Sequence, residues 1–185
     1  MKFNMGCGFN KLPGYVNVDM FPECTPDLLA DLERLPWPIE TGRASEVVFN
    51  HCLEHLGQHS GSFLGIMKEL YRICKPGAKI VINVPHPRHD HFLADPTHVR
   101  AIIPEVLSLF SKKNCRYWSE NGFSNSPLAL SLNVDFEVTG YIKVLDEAYQ
   151  SRLDNGELSS RELDVLARER NNVVKESRFE LVVIK

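Results

Sequence analysis

Apolar and polar positions alternate from the first residues, in short runs punctuated by glycine, proline and polar turns. Lys2 to Met5 reads as a short strand stopped by Gly6-Cys7-Gly8. Tyr15 to Asp19 reads as a second strand, Asp27 to Leu32 as a brief third, and Ser45 to Asn50, with Val47-Val48-Phe49 inside it, as a buried fourth. Phe63, Ile66, Met67, Leu70, Tyr71 and Cys74 then recur at helical spacing behind Ser60 or Ser62 as the cap. Lys75-Pro76-Gly77 stops that helix, and Lys79 to Val84 is the next strand. A long polar stretch from Pro85 to Arg100 follows. A helix from Pro104 through Phe110, a strand from Phe136 to Leu145, a charged helix from Ser160 to Asn171 begun by Ser159 or Ser160, and a last strand from Arg178 to Ile184 complete the chain. Strands alternating with helices predict an α/β fold: a doubly wound, mostly parallel, seven-stranded sheet in three layers, in one domain over residues 1–185.

Composition narrows the class. A net charge of −3 gives no basic surplus, so neither nucleic acid nor an anionic membrane is expected as a partner. The five cysteines are odd in number and scattered without a CxxC pair, which argues against a zinc ribbon or a disulfide framework and for reduced thiols in a cytoplasmic protein. No apolar run is long enough to span a bilayer, and the opening Lys2-Phe3-Asn4-Met5-Gly6 lacks a signal-peptide stretch.

The chemistry begins at Gly6 and Gly8, directly after a strand, where glycines let the backbone turn sharply and approach a ligand. Asp19 closes the second strand, and a carboxylate there can accept hydrogen bonds from ribose hydroxyls. Only ten residues separate Gly8 from Asp19, too few for a full crossover helix, which counts against a dinucleotide enzyme. Further along come Asp31-Leu32-Glu33-Arg34-Leu35-Pro36-Trp37, then Asn50-His51-Cys52-Leu53-Glu54-His55-Leu56, then Glu69 through Gly77 ahead of a strand.

In this order and spacing the chain resembles the class I S-adenosylmethionine-dependent methyltransferases, in particular the small families with an Asp-Leu-x-x-Leu-Pro-aromatic loop. The resemblance covers residues 3–86 and, through Asp95-Pro96-Thr97-His98, extends to about residue 100. It implies S-adenosylmethionine as cofactor, with residues 1–84 as the cofactor-binding half and 85–185 as the acceptor side. Gly6 and Gly8 would flank the methionine portion, Asp19 would hold the ribose and Asp31 the adenine amino group. The Leu32 backbone would lie near the ring, and Asn50 and His51 close to the methionine end. The chain departs from the pattern in having Asn10 for the usual third glycine and no room for more than one helical turn after the first strand.

The polar stretch leaves the sheet at the strand ends where open α/β folds place their ligands. His86, His89, His91 and His98 are therefore candidate general bases, in no order, and Arg88 and Arg100 candidates for holding an anionic acceptor. The expected activity is methyl transfer to a small-molecule oxygen or nitrogen, with a homo-oligomer left open. A cofactor-binding but catalytically silent partner protein is the second reading. His51-Cys52-Leu53-Glu54-His55 also spells H-x-x-E-H, which on a helix would hold zinc in a hydrolase. The histidines have no regular ligand spacing, and no metal is expected. Tyr117, Trp118 and Phe123 could wall an acceptor pocket or be local core.

Overall fold

The computed structural model describes residues 1–185. The alternating segments form β1 (Lys2–Met5), β2 (Val16–Asp19), β3 (Leu28–Leu29) and β4 (Ala44–Asn50), followed by α1 (Ser60–Ile73) and β5 (Cys74–Pro85). After β5 come α2 (Asp90–Leu93), α3 (Pro104–Ser108), α4 (Lys112–Glu120) and α5 (Leu128–Leu132). The chain closes with β6 (Phe136–Leu145), α6 (Glu147–Asp154), α7 (Ser160–Glu169) and β7 (Val174–Val183). The sheet order is β3-β2-β1-β4-β5-β7-β6. All pairs from β3 to β5 are parallel, and β7 runs antiparallel to both β5 and β6.

Side-chain alternation along these strands decides which face is the core. Phe3, Met5, Val18, Val47, Phe49, Ile80 and Ile82 share one apolar cluster with Phe63, Ile66, Met67, Leu70 and Ile73 of α1. Each of those α1 side chains is essentially fully buried, contributing about 1.5–3 kcal/mol apiece. The opposite face is different over β1 and β2. There Asn4 and Asn17 are buried, and the Asn4 amide donates to Asn17 Oδ1 at 3.0 Å and to the Asn10 carbonyl at 3.1 Å. Asn17 Oδ1 also accepts from the Leu12 N–H at 2.8 Å, and its amide donates to Asp27 at 2.7 Å. The ten-residue connection thus covers the sheet as a loop tied down by side-chain amides, where a crossover helix would otherwise lie.

Several boundaries differ from the sequence expectation, each for a local reason. The α1 cap is His59 rather than Ser60 or Ser62, in extended conformation and without a side-chain bond. Past Ile73 the chain runs straight into β5: Cys74 pairs with Ala44, a register shift follows, and ladder pairing resumes at Lys79 opposite Glu46. Lys75-Pro76-Gly77 is therefore an irregular stretch of strand rather than a loop, with Gly77 at φ +73°. The last strand begins at Val174, four residues earlier than its apolar run suggested, because Glu176 and Ser177 pair with both neighbours and Val174 pairs with Leu145 of β6. Ser159 does cap α7, in a capping box with Glu162. Tyr117 and Phe123 stack on each other but stay more than half exposed, so neither is core.

The proline-rich loop is fastened to α1 by one ion pair. Glu69 accepts from the Trp37 N–H at 2.7 Å and pairs with Arg72 at 2.6 Å, and Arg72 donates to the Ile39 carbonyl at 2.7 Å. Burial pushes the Glu69 carboxyl up, but the Arg72 guanidinium and the Trp37 N–H together outweigh it and hold it below its ordinary value. The Trp37 indole N–H donates to the Leu32 carbonyl at 3.0 Å, so this loop in turn shapes the Asp31-Leu32 segment.

Candidate active site

The strand order reverses between β1 and β4: β1 leads outward to β2 and β3, and β4 leads the other way to β5. The loops leaving these two central strands diverge and open a crevice at their carboxyl ends, the place where open α/β sheets bind ligands. The two loops touch at its floor. Gly6 has φ +64°, and a Cβ there would lie 2.3 Å from Cys52 Sγ, so only glycine permits the approach.

A cleft of about 520 Å³ fills this crevice; Gly6, Gly8, Asp19, Asp31, Leu32 and His51 all line it. Asp19 is buried, and its two oxygens accept from the Gly8 N–H at 2.7 Å and the Phe21 N–H at 3.0 Å. It therefore sets the shape of the glycine loop. Asp31 accepts from the Glu33 N–H at 2.9 Å and pairs with Arg34 at 3.2 Å. Met20 and Phe21, both more than half exposed, add apolar wall beside Asp19. Asn50 is not among the lining residues: its side-chain Oδ1 accepts from the Asn83 side-chain amide across the β4–β5 pair.

His51 is also a wall of a second cavity. This one is about 380 Å³ and is lined by His51, Pro85, His91, His98, Lys175 and Glu176. The His51 backbone is left-handed, φ +48°, a strained conformation for a non-glycine residue and one that gathers at functional sites. Its Nε2 lies 2.9 Å from Glu176 Oε2. Lys175 is paired with Glu147.

Of the four histidines proposed as bases, His91 and His98 reach this cavity. His86 is half-buried, its Nδ1 accepting from the Arg88 N–H at 3.2 Å. Burial first, then the charges of Arg88, His89 and Lys143, hold its pKa below the ordinary imidazole value. His89 is buried and caps α2, its Nδ1 accepting from the His91 N–H and its Nε2 facing Asp146 at 3.4 Å. The two arginines serve the fold. Arg88 donates to the Arg168 carbonyl near the end of α7, while Arg100 donates to the Gly57 carbonyl and lies 4.2 Å from the Phe63 ring centre. Neither lines the cavity.

The H-x-x-E-H sequence does not form a helix. Leu53–His55 is one 3-10 turn, and His51 sits before it in its left-handed conformation, so His51 and His55 do not share a helical face. The turn instead sets Glu54 and His55 beside His98.

Comparison of the whole chain with known proteins agrees with this architecture. A methyltransferase from Archaeoglobus fulgidus, S-adenosylmethionine-dependent, superposes with a TM-score of 0.63 at 15% identity, covering 98% of this chain and 85% of that one. One from Mesorhizobium loti gives a TM-score of 0.55 at 12% identity, over 98% and 90% of the two chains. The Haemonchus contortus phosphoethanolamine N-methyltransferase 2, in complex with S-adenosyl-L-methionine, gives 0.50 at 12% identity, over all of this chain and 48% of that one. The fold is that of the S-adenosylmethionine-dependent methyltransferases. No family model and no curated protein matches the sequence. No helix of this methyltransferase fold is long and apolar enough to cross a membrane.

Within the methyltransferase fold, the sequence reading missed Met20, Phe21, Lys175, Glu176 and the isolation of the Glu54 carboxylate. Met20-Phe21 directly after a strand-ending aspartate was a readable signal, since two large apolar residues there have nothing to pack on except a ligand or solvent. Lys175 and Glu176 carried none, because β7 was expected to start after them.

Proposed function

We propose that the protein transfers a methyl group from S-adenosylmethionine to a small polar acceptor. The observation that carries the reading is the pair of cavities meeting at His51, one behind the glycine loop and Asp19, the other polar and lined by imidazoles. The first suits the cofactor, with Asp19 and Asp31 toward its ribose and adenine and Gly6 beside its methionine portion. The second suits an acceptor oxygen or nitrogen. In the transfer the acceptor forms its bond to the methyl carbon as the carbon–sulfur bond breaks, and that electron pair leaves sulfur as a neutral thioether. The donor is already activated, so the chain supplies alignment and removes one proton from the acceptor. His51 takes that proton, oriented by Glu176, and His91 is a second imidazole on the same cavity wall able to do so.

Calorimetry tests the cofactor half: S-adenosylhomocysteine is expected to bind with a micromolar constant, about −8 kcal/mol. No heat from either the methionine or the homocysteine form, with the fold intact, overturns the reading. Glu176→Gln is expected to leave that affinity nearly unchanged while lowering turnover about 10²–10⁴-fold and altering its pH profile. A catalytically silent partner protein would bind the homocysteine form and transfer no labelled methyl to any acceptor.

A further inference from the structure

The Glu54 carboxylate is the most anomalous group in the molecule. Its side chain is almost completely buried, and neither oxygen has a hydrogen-bond partner. The nearest imidazole nitrogen of His51 lies 3.7 Å away, too far for a hydrogen bond. Protonation does not resolve this, because a protonated carboxyl still needs an acceptor and a donor. Buried polar groups in native proteins are paired almost without exception, and an unpaired one points to a water or an ion. The turn that carries Glu54 is itself held firmly: its carbonyl accepts from the Val99 and Arg100 N–H groups at 2.9 and 3.1 Å.

Two imidazoles stand beside it, and their neighbours fix which nitrogen carries the proton. His98 Nδ1 lies 2.8 Å from the Phe92 carbonyl, which can only accept, so Nδ1 is protonated and Nε2 bears the lone pair. His55 Nδ1 lies 2.8 Å from Thr97 Oγ1, and that hydroxyl gives its own proton to Asp95 Oδ1 at 2.6 Å. Thr97 must therefore accept from His55 Nδ1–H, leaving His55 Nε2 as a second free lone pair. An imidazole whose distal N–H is anchored on a carbonyl or a carboxylate-linked group is the usual arrangement of a metal ligand. The two rings sit 4.6 Å apart.

We propose that Glu54, His55 and His98 form a binding site for one divalent transition-metal ion. Their ligand atoms all lie within 4.8 Å of one another. A tetrahedron of 2.0–2.1 Å bonds has edges of about 3.3 Å, so loading draws the three side chains together by small torsional changes. Two imidazole nitrogens and one carboxylate oxygen suit zinc, cobalt or ferrous iron rather than calcium or magnesium. Three protein ligands leave a coordination position open, as in catalytic rather than structural sites. The electrostatics favour a cation. Two further carboxylates bring negative charge to the site: Asp95 Oδ2 lies 3.9 Å from His98 Nε2, and Glu176 Oε2 lies 2.9 Å from the neighbouring His51 Nε2.

This ion is not the one the H-x-x-E-H pattern suggested, because the partner of Glu54 and His55 is His98, from the loop beyond β5. His55 lines the cofactor cleft and His98 the acceptor cavity, so the ion would lie between the two. An acceptor hydroxyl bound at the open position would lose its proton more readily. That use rests on the methyl-transfer reading, whereas binding of the ion does not.

The test uses the full untagged chain, freed of metal by chelator and titrated with zinc by calorimetry and with cobalt by visible absorption. The expected result is one ion per chain, with cobalt bands intensified by an inner sphere of protein ligands. Glu54→Gln and His98→Ala should each weaken zinc binding by more than tenfold, and Thr97→Val, which removes only the anchor of His55, by about tenfold. His59→Ala, an exposed neighbour, should not change it. Circular dichroism of each apo variant checks folding, and the near-isosteric Glu54→Gln keeps the test sound if an alanine variant fails. Absence of binding to the folded wild-type chain at about 100 µM zinc overturns the site. So does binding that none of Glu54→Gln, His98→Ala and Thr97→Val moves. The same samples titrated with S-adenosylhomocysteine separate the two ideas: cofactor binding without zinc refutes the metal site alone, and zinc without cofactor binding refutes the methyl-transfer reading alone.

Discussion

The two sides of the crevice satisfy their polar groups in opposite ways. On the β1–β2 side, each buried polar side chain is spent on the protein itself. Asp19 holds the Gly8 and Phe21 N–H groups, and Asn17 bridges Asn4, the Leu12 N–H and Asp27. On the side built by the 3-10 turn, the loop beyond β5 and the start of β7, valences are left open. Both Glu54 oxygens lack partners, His55 and His98 each keep a free nitrogen, and His51 Nδ1 stands 3.7 Å from Glu54 without a hydrogen bond between them. A closed network makes a rigid floor, and open valences make a place for ligands. Substitutions in the closed network are expected to cost stability first, with cofactor binding falling as the floor deforms, and those among the open valences to cost mainly function.

The largest stability effect is expected at Gly6. Alanine there must adopt φ +64° and must also displace Cys52, whose Sγ would be 2.3 Å from the new Cβ. The two penalties together should cost about 3–4 kcal/mol, and homocysteine-form binding should fall with them. Adding Cys52→Ala relieves the contact but not the dihedral strain, so the double variant should recover only part of the loss. Full recovery in a melting curve would mean that the left-handed turn is not required. Asn17→Ala comes next. It strands the Leu12 N–H and the Asn4 amide under the loop, for about 2–3 kcal/mol by urea denaturation. A change below about 0.5 kcal/mol would show that the loop is held by something else.

What was legible in the sequence divides along the same line. Gly6, Gly8 and Asp19 form a local pattern, glycines after one strand and a carboxylate closing the next, and period-two alternation places such residues at a strand's end without knowledge of the rest. Asn4 and Asn17 carried a signal that was not used: an amide in the middle of an otherwise apolar strand needs partners, and the missing crossover helix was the reason it has them. The other side depends on distant pairings. His51 meets Glu176 across 125 residues, and no periodicity in either segment announces the other. The solitude of Glu54 is invisible to any local reading, because it depends on what fails to arrive. The sequence pattern grouped His51 with Glu54 and His55 by assuming a helix, and the left-handed backbone at His51 sends that histidine to Glu176 and leaves His98 as the neighbour.

A smaller effect is expected at Glu69, which belongs to the closed side although it lies on α1. Glu69→Gln keeps the shape and one acceptor but loses the charge toward Arg72, for about 1–2 kcal/mol at neutral pH. Because the folded carboxyl sits below its ordinary value, its contribution is fully present above the unfolded value and is lost as pH falls through the folded one. The difference between wild type and variant should therefore shrink below about pH 4. A difference that stays constant from neutral to acid pH would mean that the ion pair is not what the variant removed.

The smallest effect should come from His91→Ala, and it tests the open side most directly. His91 is exposed and lines the acceptor cavity, and its only ring neighbour is His89, 4.4 Å away between centres. His89 keeps its own bond from the residue 91 N–H, which alanine preserves, so the start of α2 should be undisturbed. Stability should then change by no more than about 0.5 kcal/mol, the range of surface substitutions away from any network. Affinity for S-adenosylhomocysteine should also hold, because His91 is not among the residues of the cofactor cleft. A loss of affinity by more than about threefold, roughly 0.7 kcal/mol, would mean that the two cavities are one site and that His51 does not divide them. Unchanged affinity together with slower labelled-methyl transfer would keep the division and assign His91 to the acceptor.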